Sequence, residues 1–237
     1  SNFKQADAVI EAVFEEVKLK QRIVSDVEAN TCPNTIFASN TSALPIAHIA
    51  EKAAHPELII GMHYFSPVPK MPLLEIVKTP KTADWVTATC FEIGIRQGKT
   101  NIVVNDGPGF YTTRILAPYF NEALLVLNEG CDAAQIDKAM KQWGFPVGPI
   151  TLLDEVGLDV GAHVMSGDLI EYYLQRPGAK KTDIVKAMYE AGRMGKKNKK
   201  GFYKYDENGK KQGIDESIYQ FCDTKERKPF SNEAIQQ

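Results

Sequence analysis

Apolar residues in the first hundred positions gather in short unbroken runs rather than in alternation. DAVIEAVFE (7–15), TIFAS (35–39), LIIGMH (58–63), LLEIVK (73–78) and NIVVN (101–105) are such runs. Strands that are apolar on both faces belong to a parallel sheet covered on both sides. Between them lie stretches of helical period. Val17, Ile23, Val24 and Val27 recur among charges, SALPIAHIAEKA (42–53) reads as a short helix entered through a serine and a proline, and 84–94 is amphipathic. This alternation predicts an α/β layer, a partial doubly wound, Rossmann-like parallel sheet.

The pattern changes at DGPGF (106–110), which offers a cap and a turn. Leu116, Phe120, Leu124 and Leu127 then share one helical face, and the signals to about residue 192 are almost all helical. Three segments are therefore predicted: the sheet layer over 1–105, an all-helical domain over 106–205, and a tail over 206–237. The stretch 193–213 is basic, glycine-rich and turn-prone and nothing after it shows a strong period, so the tail is expected to be a linker or the start of a further segment.

Composition narrows the function classes. Of 237 residues 43% are apolar and 24% charged, with a net charge of −2, so no global field would draw the chain to nucleic acid or to an anionic membrane. No run approaches the roughly 18 apolar residues of a membrane helix. Cys32, Cys90, Cys131 and Cys222 are scattered without CxxC or Cys/His clustering, which argues against zinc and against a disulfide framework. Asp154, Glu155 and Asp159 are spaced for capping and packing rather than for metal. The lysine run 196–200 reads as a solvated loop, its rival reading being a contact for ligand phosphates or a membrane surface.

Two residues carry candidate chemistry on their own. His63 and Glu75 stand at the two ends of an apolar, proline-punctuated stretch, GMHYFSPVPKMPLLEIV. A carboxylate among apolar residues is costly to bury without a partner. The pair suits a general base and its orienting acid; the bland alternative is a structural histidine beside a solvent-facing glutamate. No G-x-G-x-x-G follows the first strand, and DGPGF has another spacing and context. The layer is therefore expected to be half of a dinucleotide domain, its pyrophosphate-binding part missing.

Seven motifs in order carry a likeness: VIEAVFEE, IFASNTSALP, GMHYFSPVPKMPLLEIV, DGPGFYTTR, WGFPVGP, LLDEVGLDV and KKGFYKY. Together they resemble the L-3-hydroxyacyl-CoA dehydrogenase family over roughly residues 3–205. Within it, the dehydrogenase region of multifunctional fatty-acid oxidation proteins, the mitochondrial trifunctional protein α-subunit above all, is expected to be nearest. The resemblance implies NAD as cofactor, an acyl-CoA substrate, and oxidation of (S)-3-hydroxyacyl-CoA to 3-ketoacyl-CoA in β-oxidation. It also implies a mitochondrial location, with the peroxisome as alternative. A homodimer through the helical domain or a larger β-oxidation complex is expected, in a parent chain that carries further activities such as an enoyl-CoA hydratase. Lacking its glycine-rich half, the piece is expected to be inactive alone.

Residue by residue, the resemblance makes His63 the base, Glu75 its orienter and Ser42 a neighbour of the substrate hydroxyl. Thr113 stands where single-function members have asparagine, and a hydroxyl has less reach than an amide. Ala12, Val13, Glu15, Lys20 and Asn40 are implied at the nicotinamide side of the cofactor. Without the family, Ser42 reads as a helix cap, Thr113 as a helix residue facing its own turn, and Glu15 and Lys20 as a solvated face. Two rival functions remain: a lysine-dependent β-hydroxyacid dehydrogenase, and a non-catalytic dimerisation or scaffold module of a larger protein.

Overall fold

Five strands of the first unit, which ends at Arg114, lie side by side in chain order. They are β1 (Ala8–Glu11), β2 (Ile36–Ser39), β3 (Ile59–Tyr64), β4 (Leu73–Lys78) and β5 (Thr100–Asn105). The computed structural model describes residues 2–165 and 167–236. α1 (Val17–Asn30) joins β1 to β2, α2 (Ile46–Ile49) with two 3₁₀ turns joins β2 to β3, and α3 (Asp84–Arg96) joins β4 to β5. Each of these crossovers returns the chain to its starting edge, so the three pairs are parallel. Only residues 65–72 separate β3 from β4. That is too short for a helical crossover, and β4 runs antiparallel to β3. The sheet is thus mostly parallel and Rossmann-like, with one reversal that a continuous apolar run does not reveal.

Alternate strand residues go to opposite faces, and both faces are covered. Ile36, Ile60, Met62, Leu74 and Ile76 pack with Val86 and Cys90 of α3. Phe37, Ile59 and Val77 pack with Val24 of α1 and with Ile46 and Ile49 of α2. Fully burying each such side chain is worth about 1.5–3 kcal/mol, so the strand ends that carry the site rest on a fixed base. Gly61 sets the approach of α2: a Cβ there would meet Val77 Cβ at 2.8 Å and Ile46 Cδ1 at 2.9 Å.

The second unit starts at Ile115. It takes most of α4 (Thr112–Asn128), then α5 (Ala133–Trp143), α6 (Pro149–Val156), α7 (Leu158–Val164), α8 (Asp168–Leu174) and α9 (Ile184–Glu190). A hairpin of β6 (Tyr203–Tyr205) and β7 (Lys211–Ile214) follows, and then α10 (Asn232–Gln236). The unit is largely helical rather than all-helical. Leu124, Leu127, Ile136, Ile150, Leu153 and Met188 form its core together with Ile218, Tyr219 and Ile235. The expected linker over 206–237 is therefore corrected: its described residues, 206–236, are packed structure. Polar anchors, which leave no apolar period, hold the hairpin and the segment after it. Buried Asp154 accepts from the Phe202 and Tyr203 amides at 2.8 and 2.9 Å, and Asp132 accepts from the Tyr219 hydroxyl at 2.6 Å. Asp137 caps α6 through the Ile150 amide at 2.8 Å and accepts from the Tyr203 hydroxyl at 2.7 Å. In the lysine run, Lys197 pairs with Asp159 at 2.8 Å.

Candidate active site

The reversal between β3 and β4 makes His63 and Glu75 register partners. Directly opposed residues project to the same face with Cβ atoms about 5 Å apart. His63 Nδ1 lies 2.6 Å from Glu75 Oε2, and the two residues are 4% and 0% exposed. A carboxylate on Nδ1 accepts its proton, so the neutral ring carries its lone pair on Nε2. Among the described residues nothing hydrogen-bonds Nε2. The rings of Phe65 and Phe110, with centroids 4.4 and 5.8 Å from that of His63, wall the imidazole.

The other oxygen of Glu75 is also taken. Oε1 accepts from the Thr112 amide at 2.8 Å and from the Thr112 hydroxyl at 2.9 Å. Burial by itself pushes the Glu75 carboxyl up, but His63 and the two Thr112 donors outweigh it and hold the group below the usual carboxylate range. An ionised acid thus stands behind the histidine. Thr112 opens α4, where a backbone N–H has no partner within the helix and carries part of the positive end of the helix dipole.

The turn before Thr112 is built from left-handed residues: Gly107, Gly109 and Phe110 have φ of 154°, 69° and 51°. Glycine adopts such angles freely, whereas Phe110 does so at a cost of about 1–2 kcal/mol. Burial of its ring holds it there, at 3% exposure. Asp106 ties the same segment to α2, accepting from the Ile46 and Ala47 amides at 2.8 Å each. The helix cap is therefore Asp106, and Ser42 does not cap the helix it precedes. Ser42 is exposed. Its carbonyl accepts a long 3.4 Å bond from the Thr113 hydroxyl, so the structure brings Ser42 and Thr113 together.

Beyond the ends of β1 and β2 lie the residues implied for the cofactor. Ala12 and Val13 are exposed. Asn40 fixes the last residue of β3 by accepting from the Tyr64 amide at 2.8 Å. Glu15 braces the loop before α2: its Oε1 accepts from the Thr41 hydroxyl at 2.5 Å and from the Ser42 and Ala43 amides at 2.9 and 3.3 Å. Burial pushes the Glu15 carboxyl up, yet these donors and Lys20 hold it below its usual range. Lys20 is not on a solvated face. It is fully buried, 2.7 Å from Glu11 and 3.4 Å from Glu15, and it donates to the carbonyl of exposed Val13 at 3.4 Å. Glu11 in turn accepts from the Ser39 hydroxyl at 2.8 Å.

Sequence reading missed Thr112, Glu11, Asp106 and Phe110. Glu11 gave the same signal as Glu75, a carboxylate within an apolar strand; the other three act through contacts distant in the chain. The carboxyl ends of parallel strands are where open α/β sheets bind ligands. A partly exposed Glu15 carboxylate, with 28% of its side chain open, is an acceptor suited to ribose hydroxyls. The side-chain N–H groups of Asn40, whose oxygen is already committed, are donors suited to a carboxamide. These groups fit the nicotinamide side of NAD. Among the described residues no group of three or more His, Cys, Asp or Glu is placed to hold a metal ion.

Comparison with known proteins bears on both units. The model of the 3-hydroxyacyl-CoA dehydrogenase NAD-binding domain matches residues 1–107, and that of the C-terminal domain matches residues 109–205. The fatty acid oxidation complex subunit alpha of Vibrio vulnificus is 51% identical over 221 residues, covering 92% of this chain and 30% of its own. The chain thus spans under a third of that relative's length. The structure of (S)-3-hydroxybutyryl-CoA dehydrogenase from Ralstonia eutropha is 36% identical with a TM-score of 0.80, covering 87% of this chain and 73% of that one. That of 3-hydroxybutyryl-CoA dehydrogenase from Escherichia coli is 32% identical with a TM-score of 0.78, covering 85% and 43%. Two expectations are corrected. The relatives at about half identity are bacterial fatty acid oxidation complex subunits rather than the mitochondrial α-subunit, and the NAD-binding domain is matched over 1–107 rather than missing. With both domain models matched in order, and with 36% identity to an enzyme of which it covers 73%, the chain belongs to the 3-hydroxyacyl-CoA dehydrogenase family.

Proposed function

We propose that the chain catalyses NAD-dependent oxidation of (S)-3-hydroxyacyl-CoA to 3-ketoacyl-CoA. The observation that carries this reading is the buried His63–Glu75 pair, with Nδ1 committed to an ionised acid. NAD⁺, which Ala12, Val13, Glu15 and Asn40 at the ends of β1 and β2 would hold, would supply the hydride acceptor. His63 Nε2 takes the proton of the substrate hydroxyl as the hydrogen on C3 leaves with its electron pair, and the C3–O bond becomes a carbonyl. Glu75 stabilises the imidazolium that forms and keeps the ring in one tautomer. The Ser42 hydroxyl, exposed beside the loop braced by Glu15, orients the reacting oxygen. The Thr113 hydroxyl donates to the thioester carbonyl. Ala12, Val13, Glu15 and Asn40 line the nicotinamide side of the cofactor, with Lys20 acting through Glu15.

Support for the substrate class comes from the names of the relatives, which are 3-hydroxybutyryl-CoA dehydrogenases and subunits of a fatty acid oxidation complex. A place within such a complex, beside further activities of a longer chain, belongs to the same proposal. The test is reduction of acetoacetyl-CoA followed by loss of NADH absorbance. His63→Gln is expected to lose roughly 10²-fold or more in kcat, the usual worth of a general acid–base. Undiminished turnover in that variant would refute the assignment and favour the lysine-dependent rival.

A further inference from the structure

Glu75 has two oxygens, both committed: Oε2 to His63, and Oε1 to the amide and the hydroxyl of one residue, Thr112. A buried carboxylate that loses a donor turns to restore its bonds or takes up a proton, because an unsatisfied charge is costly in a dry site. The Thr112 amide is fixed by its place at the start of α4. Any residue but proline would present it there. The hydroxyl is different, since only threonine or serine supplies it at that point, and it closes a two-pronged grip on a single oxygen.

We propose that Thr112 is the positioning residue of the pair, its hydroxyl locking Glu75 Oε1 so that Oε2 stays ionised and aimed at His63 Nδ1. The turn supports this assignment. Three φ-positive residues within four positions, 107, 109 and 110, one of them a buried phenylalanine, deliver the first turn of α4 onto β4, and non-glycine residues hold such angles only where the surroundings enforce them. The role rests on reading His63 as the general base, but its test does not need turnover.

The experiment uses the full chain labelled with ¹³C at the glutamate carboxyls, the Glu75 signal being assigned by its loss in Glu75→Gln. In Thr112→Val, which keeps shape and amide but lacks the hydroxyl, the Glu75 titration midpoint is expected to rise by about one pH unit. Thr112→Ala gives the same rise, and Thr112→Ser returns the midpoint to that of the parent. With acetoacetyl-CoA, the valine variant loses kcat with little change in KM. A midpoint unmoved in folded Thr112→Val or Thr112→Ala overturns the proposal, as does a serine variant that behaves like valine. The two readings fail separately: absence of turnover in every form, with the Glu75 shift intact, sinks the dehydrogenase reading and leaves the grip standing.

Discussion

His63 and Glu75 face each other across β3 and β4 as register partners, with 2.6 Å between Nδ1 and Oε2. Their spacing in sequence is thus the length of a reversal, the end of β3, the loop 65–72 and the start of β4. Glu75→Gln keeps the shape and removes the charge behind the imidazolium. Turnover of acetoacetyl-CoA is expected to fall roughly 10²-fold, the scale on which acid–base residues act, with the fold intact. An activity within a factor of about two of the parent, far less than that scale, would separate the acid from the chemistry.

The same substitution predicts a change in acid stability. The Glu75 carboxyl is held below its ordinary value of 4.5, so on acidification the unfolded chain takes up that proton first. Its contribution is complete above that value and is lost as pH falls through the lower folded one. Urea midpoints of the parent should therefore drop on acidification more steeply than those of Glu75→Gln. Parallel curves would count against an ionised, satisfied Glu75.

Lys20 tests a different kind of burial. Its ammonium is enclosed at 0% exposure against Glu11 at 2.7 Å. Replacing one partner of such a pair leaves the other charge stranded, at a cost of about 3–5 kcal/mol. Lys20→Met should unfold at markedly lower urea, whereas the double variant Lys20→Met with Glu11→Leu should recover much of the loss. If the single variant matches the parent in stability, Lys20 is not held as described.

The elements were legible where physics is local. Ile36, Ile60 and Leu74 sit in unbroken apolar runs because both sheet faces are covered, and those runs announced their strands. Direction was not legible, since LLEIVK reads alike either way; only the short 65–72 connection decides it. Lys20 looked solvated because Lys18 and Glu16 around it are exposed, and its partner Glu11 precedes the helix. The cap of α2 is Asp106, sixty residues beyond Ile46, so the nearer Ser42 drew the assignment. His63 and Glu75 were found from chemistry and resemblance together, but Thr112, which holds the acid, lies next to the Thr113 that the family pattern pointed to.

Asp154 gives the second unit a pH dependence of opposite sign. Burial raises its carboxyl to about 6 from 3.8, against the lowering pull of the Tyr203 and Phe202 amides, the Tyr205 hydroxyl and Arg193. The folded form therefore holds this proton more tightly than the unfolded chain does. As pH rises between the two values the folded unit loses stability, by an amount of order 3 kcal/mol from this group alone. Asp154→Asn should flatten that slope. It should also lower stability at every pH by about 1–3 kcal/mol, because an amide meets the Phe202 and Tyr203 donors with one fewer acceptor. A slope retained in the variant would assign the effect to another group.

Asp106 offers a local test of how the site is assembled. Its two carboxylate oxygens accept from the Ile46 and Ala47 amides, and Gly107 N–H donates to the same group at 2.9 Å. The carboxylate thus joins the loop that carries Ser42 to the turn that leads to Thr112. Losing a helix cap costs about 1 kcal/mol, a fivefold change in an opening equilibrium when the opening is confined to that segment. Asp106→Ala should speed hydrogen exchange at Ile46 and Ala47 by roughly that factor and leave β2 amides such as Phe37 protected. Because Ser42 orients the reacting oxygen in the proposed reaction, kcat should fall with the loosened loop while the Glu75 titration stays in place. Exchange that accelerates equally across β2 and β3 would mean that Asp106 supports the whole sheet rather than the Ser42 loop.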